Sequence, residues 1–241
     1  MYALQIIQNA KLPDLAKRLK KIKKMEELIQ NLGVADVIDA MTMTFQHKAH
    51  IIHIDSPDPK RTLFGQAVTI GFLPVRKDFM DTEKHSLGPA FYHAIGKQDP
   101  TGKVLVMSSG NHPNTSLGGG TKLSRLRNHK MAGILCDGQL RDYEELNSYD
   151  FATYCKGETV RAGGNEIQPY LTNVPVNVDG VTVIPGDFVF AHGSSAVIIP
   201  KDSLEMILKK ARNIMNKLDK AKAAFINEDP QKIVSQGSSE L

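Results

Sequence analysis

Three consecutive glycines, residues 118–120, stand directly before a segment with the spacing of an amphipathic helix. Thr121, Leu123 and Leu126 favour one helix that ends near Lys130. The first amides of a helix have no intrahelical acceptor and lie at the positive end of its dipole, so they can bind a small anion. Glycines permit the close backbone approach that such binding needs.

An Arg-Asp pair is the second group that could do chemistry. Residues 133–136, Gly-Ile-Leu-Cys, are followed by Asp137-Gly138, which indicates a buried strand that ends in a turn. Arg141 and Asp142 come directly after this turn. A guanidinium can hold a carboxylate through two hydrogen bonds, and an aspartate oxygen is a suitable ligand for a hard divalent cation. Together with the glycine-led helix, the pair predicts a pocket for a carboxylate and a metal ion.

Both features also have a purely structural interpretation. Glycine triplets usually mark loops, and adjacent Arg-Asp pairs are usually solvated. The residues alone therefore leave two alternatives open, a ligand pocket and a polar loop.

The segment from Gly118 to Asp142 resembles the RraA-like family. It has glycine before a helix, Gly133 before an aliphatic strand, and then Asp-Gly-x-x-Arg-Asp. Four further blocks resemble the family's other blocks in the same order: residues 34–43, 65–74, 87–106 and 174–200. The resemblance thus spans about 170 residues of the chain. The family contains metal-dependent pyruvate aldolases of the hydroxymethylglutarate/carboxy-oxaloadipate type, oxaloacetate decarboxylases and a regulator of RNase E activity.

The resemblance implies a role for each matching residue. Asp142 would be the direct ligand of Mg²⁺ or Mn²⁺, and Arg141 would hold the keto-acid end and stabilise an enolate. The amides that follow Gly119 and Gly120, those of Thr121 and Lys122, would bind the substrate carboxylate. Cation and guanidinium would then stabilise negative charge where it develops during C–C cleavage.

The chain departs from the family pattern at some positions. Many catalytic members have an acidic residue at position 120, where it orients a metal-bound water and takes part in proton transfer, whereas this chain has glycine. His192 stands where the family often has Asp, and it is interpreted either as a residue of the pocket rim or as a structural residue. Some members draw a carboxylate from a neighbouring subunit's C-terminal helix, for which Asp219 is the nearest candidate.

Two functions from different classes follow from the resemblance. The first is a divalent-metal-dependent lyase on 2-oxo or hydroxy dicarboxylic acids, which releases pyruvate by retro-aldol cleavage or decarboxylates oxaloacetate. The alternative is a non-catalytic regulatory protein that acts through protein contacts, which the glycine at position 120 would favour.

The architecture that the resemblance implies is an α/β fold, a layered β/β/α sandwich of the swivelling-domain type. We expect helical extensions over residues 1–33 and residues 203–241 around a core of residues 34–202. The family assembles as homotrimers or as hexamers of two trimers, with the pocket at a subunit boundary.

Composition and length are those of an ordinary globular protein, with 241 residues, 41% hydrophobic and 23% charged. Neither a membrane span nor a secretory signal is recognisable, so we expect a cytoplasmic protein without a membrane partner. Cys136 and Cys155 are the only cysteines and lack C-x-x-C spacing, which predicts neither a disulfide framework nor a thiolate metal site.

The net charge of +4 is unevenly distributed. Residues 11–24 hold seven basic residues against one acidic residue, a net +6, so the remainder of the chain carries −2. A nucleic-acid groove needs basic residues spread over the folded body, so we do not expect one. The basic segment is interpreted as a solvated helix face or as a contact for an acidic protein partner.

The spacing of the histidines does not indicate a second site. His47, His50 and His53 recur every three residues, which separates them on a strand and on a helix alike. His112 lies in a polar loop and is interpreted as solvated, with an approach to the pocket as the alternative.

Apolar spacing predicts the surrounding elements. Helices are expected over residues 12–32, 34–43, 86–97 with Ser86 as cap, 143–146 and 203–225. Strands are expected over residues 66–72, 103–107 and 133–136, and several short strands over residues 174–200 with a hairpin turn at Asp179-Gly180. Residues 227–241 are expected to fray.

Overall fold

The structure is a computed structural model that describes residue 27, residues 29–81 and residues 83–236. The chain divides into two compact units. One unit comprises residues 41–204, and the other comprises the described residues up to residue 40 together with residues 205–236. The boundaries expected from the sequence, residues 1–33, 34–202 and 203–241, stay a prediction.

Within the described residues the helices and strands alternate in the middle of the chain and give way to short strands after it. The helices are α1 Val34–Thr42, α2 Leu87–Ile95, α3 Gly120–Asn128, α4 Tyr143–Asn147, α5 Leu204–Phe225 and α6 Pro230–Gln236. The strands are β1 His50–Ile52, β2 Leu63–Pro74, β3 Val104–Ser108, β4 Gly133–Cys136, β5 Ala152–Tyr154, β6 Ile167–Thr172, β7 Val176–Val178, β8 Val181–Val183, β9 Phe188–His192 and β10 Ser195–Ile199. Single 3₁₀ turns occupy Gly163–Asn165 and Lys201–Ser203.

The unit of residues 41–204 is organised around β2. The strand order is β1-β10-β9-β2-β3-β4-β5, and β6 also pairs with β2. β2 pairs antiparallel with β9 through its first residues, parallel with β3 through its middle, and antiparallel with β6 through its end. β3, β4 and β5 continue in parallel. The carboxyl ends of β3 and β4 therefore meet at one edge, where the loops that carry the candidate residues begin.

Two hydrophobic clusters lie in this unit. The first packs side chains of α2, α3 and α4, such as Phe91, Leu123 and Leu146, against buried residues of β2, β3 and β4. The second packs the β7–β8 pair, through residues such as Val178 and Val183, with residues of β9, β10 and the same central strands. Helices thus cover one face of the sheet and strands the other, which confirms the predicted α/β class with its β/β/α layers.

Most elements with strong local signals form as predicted. The strand at residues 133–136 and the helix at residues 34–42 agree within one residue. The hairpin turn is also confirmed, since Val178 pairs with Val181 and both Asp179 (φ 52°) and Gly180 (φ 79°) lie in the left-handed region. Both cysteines are free and buried.

Other predictions were wrong in detail. Ser86 occupies the cap position of α2 but its hydroxyl makes no capping bond, because Oγ donates instead to the carbonyl of Glu83 at 3.1 Å. Residues 230–236 form α6, whereas the sequence had predicted a frayed tail. β2 is five residues longer than the predicted strand, since it runs on to pair with both β9 and β6.

The second unit is described only in part. The predicted helix over residues 12–32 lies outside the described residues except at its end, and with it the basic segment of residues 11–24. Near that end, the Arg212 guanidinium on α5 donates to the carbonyls of Gln30 (2.5 Å) and Glu27 (3.1 Å). Among the described helices of the chain, none has the length and apolar content to cross a membrane.

Candidate functional site

A cavity of about 490 Å³ lies where the loops after β3 and β4 approach the start of α3. Its wall includes most of the residues predicted from the sequence to form a site: Gly119, Thr121, Lys122, Arg141 and Asp142. Gly120, the remaining predicted residue, is buried directly behind this wall. The two sequence features, 21 positions apart at Gly120 and Arg141, therefore meet in space.

The Asp142 carboxylate faces the start of α3. Its Oδ2 accepts the Gly120 amide hydrogen at 3.0 Å. The Asp142 backbone is left-handed (φ 65°, ψ 49°), a conformation that Asp tolerates better than most residues, and its carbonyl accepts the Leu146 amide hydrogen at 2.9 Å as α4 begins. Within the described part of the chain, no hydrogen bond engages Asp142 Oδ1. One oxygen is thus fixed by the helix start and the other stays available to a ligand.

Gly119 makes this approach possible for a steric reason. Its backbone is extended (φ −158°), so any residue could adopt its conformation. A Cβ at this position, however, would lie 2.6 Å from Asp142 Oδ2 and 3.0 Å from the Arg141 Cβ. Only glycine lets the Arg-Asp pair lie against the helix start.

Backbone pairing holds Arg141 beside the glycine segment. The Leu117 amide donates to the Gln139 carbonyl and the Arg141 amide donates to the Gly118 carbonyl, both at 3.0 Å. These bonds make the loop after β4 run alongside the loop that leads into α3. The Arg141 side chain is exposed and lines the cavity.

The start of α3 supplies amide donors. The first helical bond runs from the Leu123 amide to the Gly119 carbonyl at 2.9 Å. Helix geometry leaves the Thr121 and Lys122 amides without intrahelical acceptors, and both residues line the cavity. An anion placed there would meet two N–H groups and the positive end of the helix dipole.

Glu145 is a functional candidate that the sequence reasoning missed. A Cβ at Gly120 would overlap Oε2 and Cδ of Glu145 and would lie 2.9 Å from its Cγ. The other oxygen, Oε1, accepts a hydrogen bond from the Tyr149 hydroxyl at 2.6 Å, and this bond raises the pKa of Tyr149. The signal in the sequence was an acidic residue one helical turn after Asp142, but its significance depends on how α4 packs against α3.

Asp137 fixes the loops below the site. Its carboxylate is 9% exposed and accepts the Ser109 amide through Oδ1 (2.5 Å) and the Asp179 amide through Oδ2 (3.1 Å). It therefore joins the ends of β3 and β4 to the β7–β8 turn and takes no part in the cavity wall.

The donor set fits a hydrated hard cation. Across the part of the chain that the structure describes, no cluster of three or more His, Cys, Asp or Glu could hold a metal on its own. Mg²⁺ commonly uses one or two carboxylates and keeps several waters, so Asp142 Oδ1 suffices as a protein ligand. The free oxygen of Asp142, beside Arg141 in a cavity open to water, is the position that such an ion would take.

The other residues considered from the sequence lie elsewhere. The His112 Nδ1 donates to the Gly110 carbonyl at 3.0 Å, and His192 is exposed at the end of β9, 3.4 Å from the Thr62 hydroxyl. Asp219 on α5 pairs with Lys222 at 3.2 Å. His112 and His192 are not among the residues that line the cavity.

Several known proteins are similar to this chain in sequence. The chain is 24% identical over 222 residues to Protein DlpA of Legionella pneumophila, covering 91% of this chain and 33% of that protein. It is 28% identical over 116 residues to a putative 4-hydroxy-4-methyl-2-oxoglutarate aldolase of Halalkalibacterium halodurans, covering 46% of this chain and 52% of that protein. It thus spans about a third and about half of the length of these relatives.

A relative and a solved structure extend the comparison. The 4-hydroxy-4-methyl-2-oxoglutarate aldolase of Thermus thermophilus is 30% identical over 113 residues, which cover 46% of this chain and 68% of that protein. RraAS2 of Streptomyces coelicolor, described as an unusual member of the RNase ES inhibitor RraA family, superposes with a TM-score of 0.72 at 21% identity, covering 83% of this chain and 98% of that one. This likeness shows the fold.

A family profile described as RraA-like, Aldolase/RraA, matches residues 34–198. The match covers more than half of the chain, and it includes the glycine segment, the Arg-Asp pair and the strands that position them. By this match, the protein belongs to the RraA-like family.

Proposed function

We propose that the protein is a divalent-metal-dependent lyase that acts on 2-oxo or hydroxy dicarboxylic acids. It would release pyruvate by retro-aldol cleavage or decarboxylate oxaloacetate. The observation that carries the proposal is the Asp142 carboxylate, which is anchored to the Gly120 amide through Oδ2 and keeps Oδ1 available beside Arg141.

Asp142 would hold Mg²⁺ or Mn²⁺ through Oδ1, with waters and the substrate as the remaining ligands. The bound ion would polarise the keto group of the substrate and stabilise negative charge on its oxygen. The bond from the Gly120 amide keeps the carboxylate in one orientation, so little reorganisation is needed when the ion binds.

Substrate binding falls to the groups that surround this carboxylate. The Thr121 and Lys122 amides would donate hydrogen bonds to the carboxylate of the 2-oxo acid at the helix start. The Arg141 guanidinium would donate hydrogen bonds to the keto oxygen, where negative charge grows as the C–C bond breaks. The interaction with Arg141 would strengthen as charge develops on the keto oxygen, which lowers the barrier, whereas the amides would position a carboxylate whose charge does not change.

This chain has glycine at position 120, where many catalytic family members have an acidic residue, but another carboxylate lies in the space of that side chain. The Glu145 carboxylate fills the space into which a side chain at position 120 would project. We propose that Glu145 takes over proton transfer, through a water molecule because Glu145 is not itself among the lining residues. It would accept the hydroxyl proton of the substrate in retro-aldol cleavage, whereas decarboxylation needs no base to begin.

We further propose that the chain forms homotrimers or hexamers of two trimers. The ground for this is membership of the RraA-like family, whose members assemble in this way. Size-exclusion chromatography with light scattering would give three or six times the chain mass of 26.5 kDa; a monomeric mass would contradict the assembly.

The experiment for the function is a coupled pyruvate-release assay with 4-hydroxy-4-methyl-2-oxoglutarate and with oxaloacetate. We expect turnover with Mg²⁺ or Mn²⁺, its loss in EDTA, and its loss in Asp142→Asn, which keeps an oxygen for the Gly120 amide and tolerates the left-handed backbone. Unchanged turnover in Asp142→Asn would overturn the metal assignment. No turnover with either acid would favour the alternative, a regulatory protein that acts through protein contacts.

A further inference from the structure

The wall of the cavity includes a second group of residues, which the reaction centre does not use. His85 and Leu87 come from the segment that leads into α2, and Ile167, Gln168 and Pro169 come from the start of β6. These residues combine an apolar surface with a few hydrogen-bonding groups. Such a surface is typical of the part of a site that recognises the remainder of a substrate.

His85 is held in one orientation by two contacts. Its Nδ1 lies 2.9 Å from the carbonyl oxygen of Asp81, and because a carbonyl only accepts, Nδ1 carries the hydrogen. Its ring packs on Tyr170 of β6 with a centroid distance of 5.0 Å, and Tyr170 packs in turn on Phe79 at 5.1 Å. The nitrogen that remains for a ligand is therefore Nε2.

One polar side chain near His85 already has a hydrogen-bond partner within the protein, and another has an atom without one. The Ser86 hydroxyl donates to the Glu83 carbonyl. Gln168 is 7% exposed, and in the described part of the chain its Oε1 has no hydrogen-bond partner. Oε1 is a buried acceptor and offers no hydrogen bond to a carboxylate, so recognition of an anion on this side is left to His85.

The net charge of the cavity wall indicates which chemical group of a ligand would lie near His85. The ionised residues in the wall are Lys122 and Arg141, which are positive, and Asp142, which is negative. The wall is therefore net positive even before a divalent cation binds at Asp142. A single carboxylate at the start of α3 does not balance the cation and the two basic residues, so a second anionic group on the ligand is favoured.

We propose that His85 is a specificity-determining residue that binds the far carboxylate of a 2-oxo dicarboxylic acid through Nε2. This inference rests on the proposed function for the position of the first carboxylate. Tyr170 is a positioning residue that keeps the ring facing the ligand. The apolar residues Leu87, Ile167 and Pro169 surround the methylene carbons between the two ends.

The test is a comparison of two five-carbon ligands that differ only in the far carboxylate. We would measure the binding of 2-oxoglutarate and of 2-oxopentanoate by calorimetry with Mg²⁺, for the wild type and for His85→Ala. We expect the wild type to bind 2-oxoglutarate more tightly. The substitution should raise the Kd of 2-oxoglutarate by about tenfold to a hundredfold, the range of a hydrogen bond to a charged group, and leave that of 2-oxopentanoate within twofold.

Further variants separate recognition from folding. His85→Lys places a positive charge at this position and should recover part of the preference for the diacid, whereas Tyr170→Leu should lose part of it. His93→Ala, an exposed histidine of α2 whose Nδ1 contacts Thr172, is the matched control and should change neither Kd.

Equal weakening of both ligands in His85→Ala, no change with either, or no binding of the diacid by the wild type would overturn the proposal. Turnover is a separate readout. Loss of diacid preference in His85→Ala together with no turnover in the wild type would support His85 and contradict the lyase.

Discussion

The carboxylate of Glu145 occupies the space that a side chain on Gly120 would need. The two residues lie on different helices, α3 and α4, and the Tyr149 hydroxyl holds the carboxylate in place by donating to Oε1 at 2.6 Å. Glycine at position 120 therefore leaves room for the Glu145 carboxylate, which places an acidic group from α4 at the start of α3.

Replacing Gly120 by Ala should destabilise the protein by about 1 kcal/mol, since the added methyl group displaces the Glu145 side chain and breaks its bond to Tyr149. In a Glu145→Ala background the same replacement should be neutral or stabilising, because Ala is favoured over Gly within a helix by roughly 1 kcal/mol. Urea unfolding of the four proteins measures this coupling.

A Glu144→Ala background is the control for that cycle, since Glu144 is an exposed neighbour on the same helix. In the Glu144→Ala background, Gly120→Ala should lower the free energy of unfolding as much as it does in the wild type. An equal cost of Gly120→Ala in the presence and absence of Glu145 would show that the two side-chain positions do not compete.

Gly119→Ala should weaken metal binding while the fold survives. The new Cβ would lie 2.6 Å from Asp142 Oδ2, so the carboxylate must turn away from the helix start. Mn²⁺ binding, followed by electron paramagnetic resonance, should weaken by at least about tenfold, the scale of a lost supporting contact at a metal ligand. Gly164→Ala, where an added Cβ meets no atom within 4 Å, is the control and should bind Mn²⁺ like the wild type.

Arg141→Lys should lower kcat/KM for pyruvate release by roughly a hundredfold, with most of the loss in kcat. Lysine keeps the charge but cannot present the planar pair of donors to the developing oxyanion. Arg76→Lys, which alters an exposed Arg-Asp pair far along the chain, is the comparison and should retain full activity. If both variants behave alike, Arg141 has no part in the reaction.

Asp137→Ala should cost about 2–4 kcal/mol of unfolding free energy. The change leaves the Ser109 and Asp179 amides without the carboxylate that now accepts both hydrogen bonds, and each unsatisfied group costs about 1–2 kcal/mol. Thermal and urea unfolding measure the loss, and the exposed Asp150→Ala should stay within about 0.5 kcal/mol of the wild type. A loss equal to that of Asp150→Ala would contradict the role of Asp137 in joining these loops.

Features that depend on local chemistry were predictable from the sequence. The glycine-led helix, the strand before Asp137 and the hairpin at Asp179 are each specified by residues within one element or turn. Because both candidate loops follow strands of one parallel sheet, the meeting of Gly119 with Asp142 could also be expected.

Features that depend on packing were not predictable in this way. The place of Glu145 beside Gly120 follows from how α4 packs on α3, and its spacing of one helical turn from Asp142 does not by itself predict this contact. The full length of β2 reflects its three partners, since its ends gain pairing with β9 and β6 that an isolated strand signal does not contain. His85 lies in an irregular segment that has no periodic sequence pattern, so its position in the cavity wall could not be predicted.

The most direct test of the central claim is the exchange of the pyruvate methyl hydrogens for deuterium, followed by proton NMR in D₂O with Mg²⁺. Forming the enolate of pyruvate needs the metal ligand, the guanidinium and the proton-transfer group together, and it needs no second substrate. We expect exchange that depends on Mg²⁺ in the wild type and exchange at the uncatalysed rate in Asp142→Asn. Exchange that proceeds equally in Asp142→Asn, or no exchange above the uncatalysed rate in the wild type, would contradict the account.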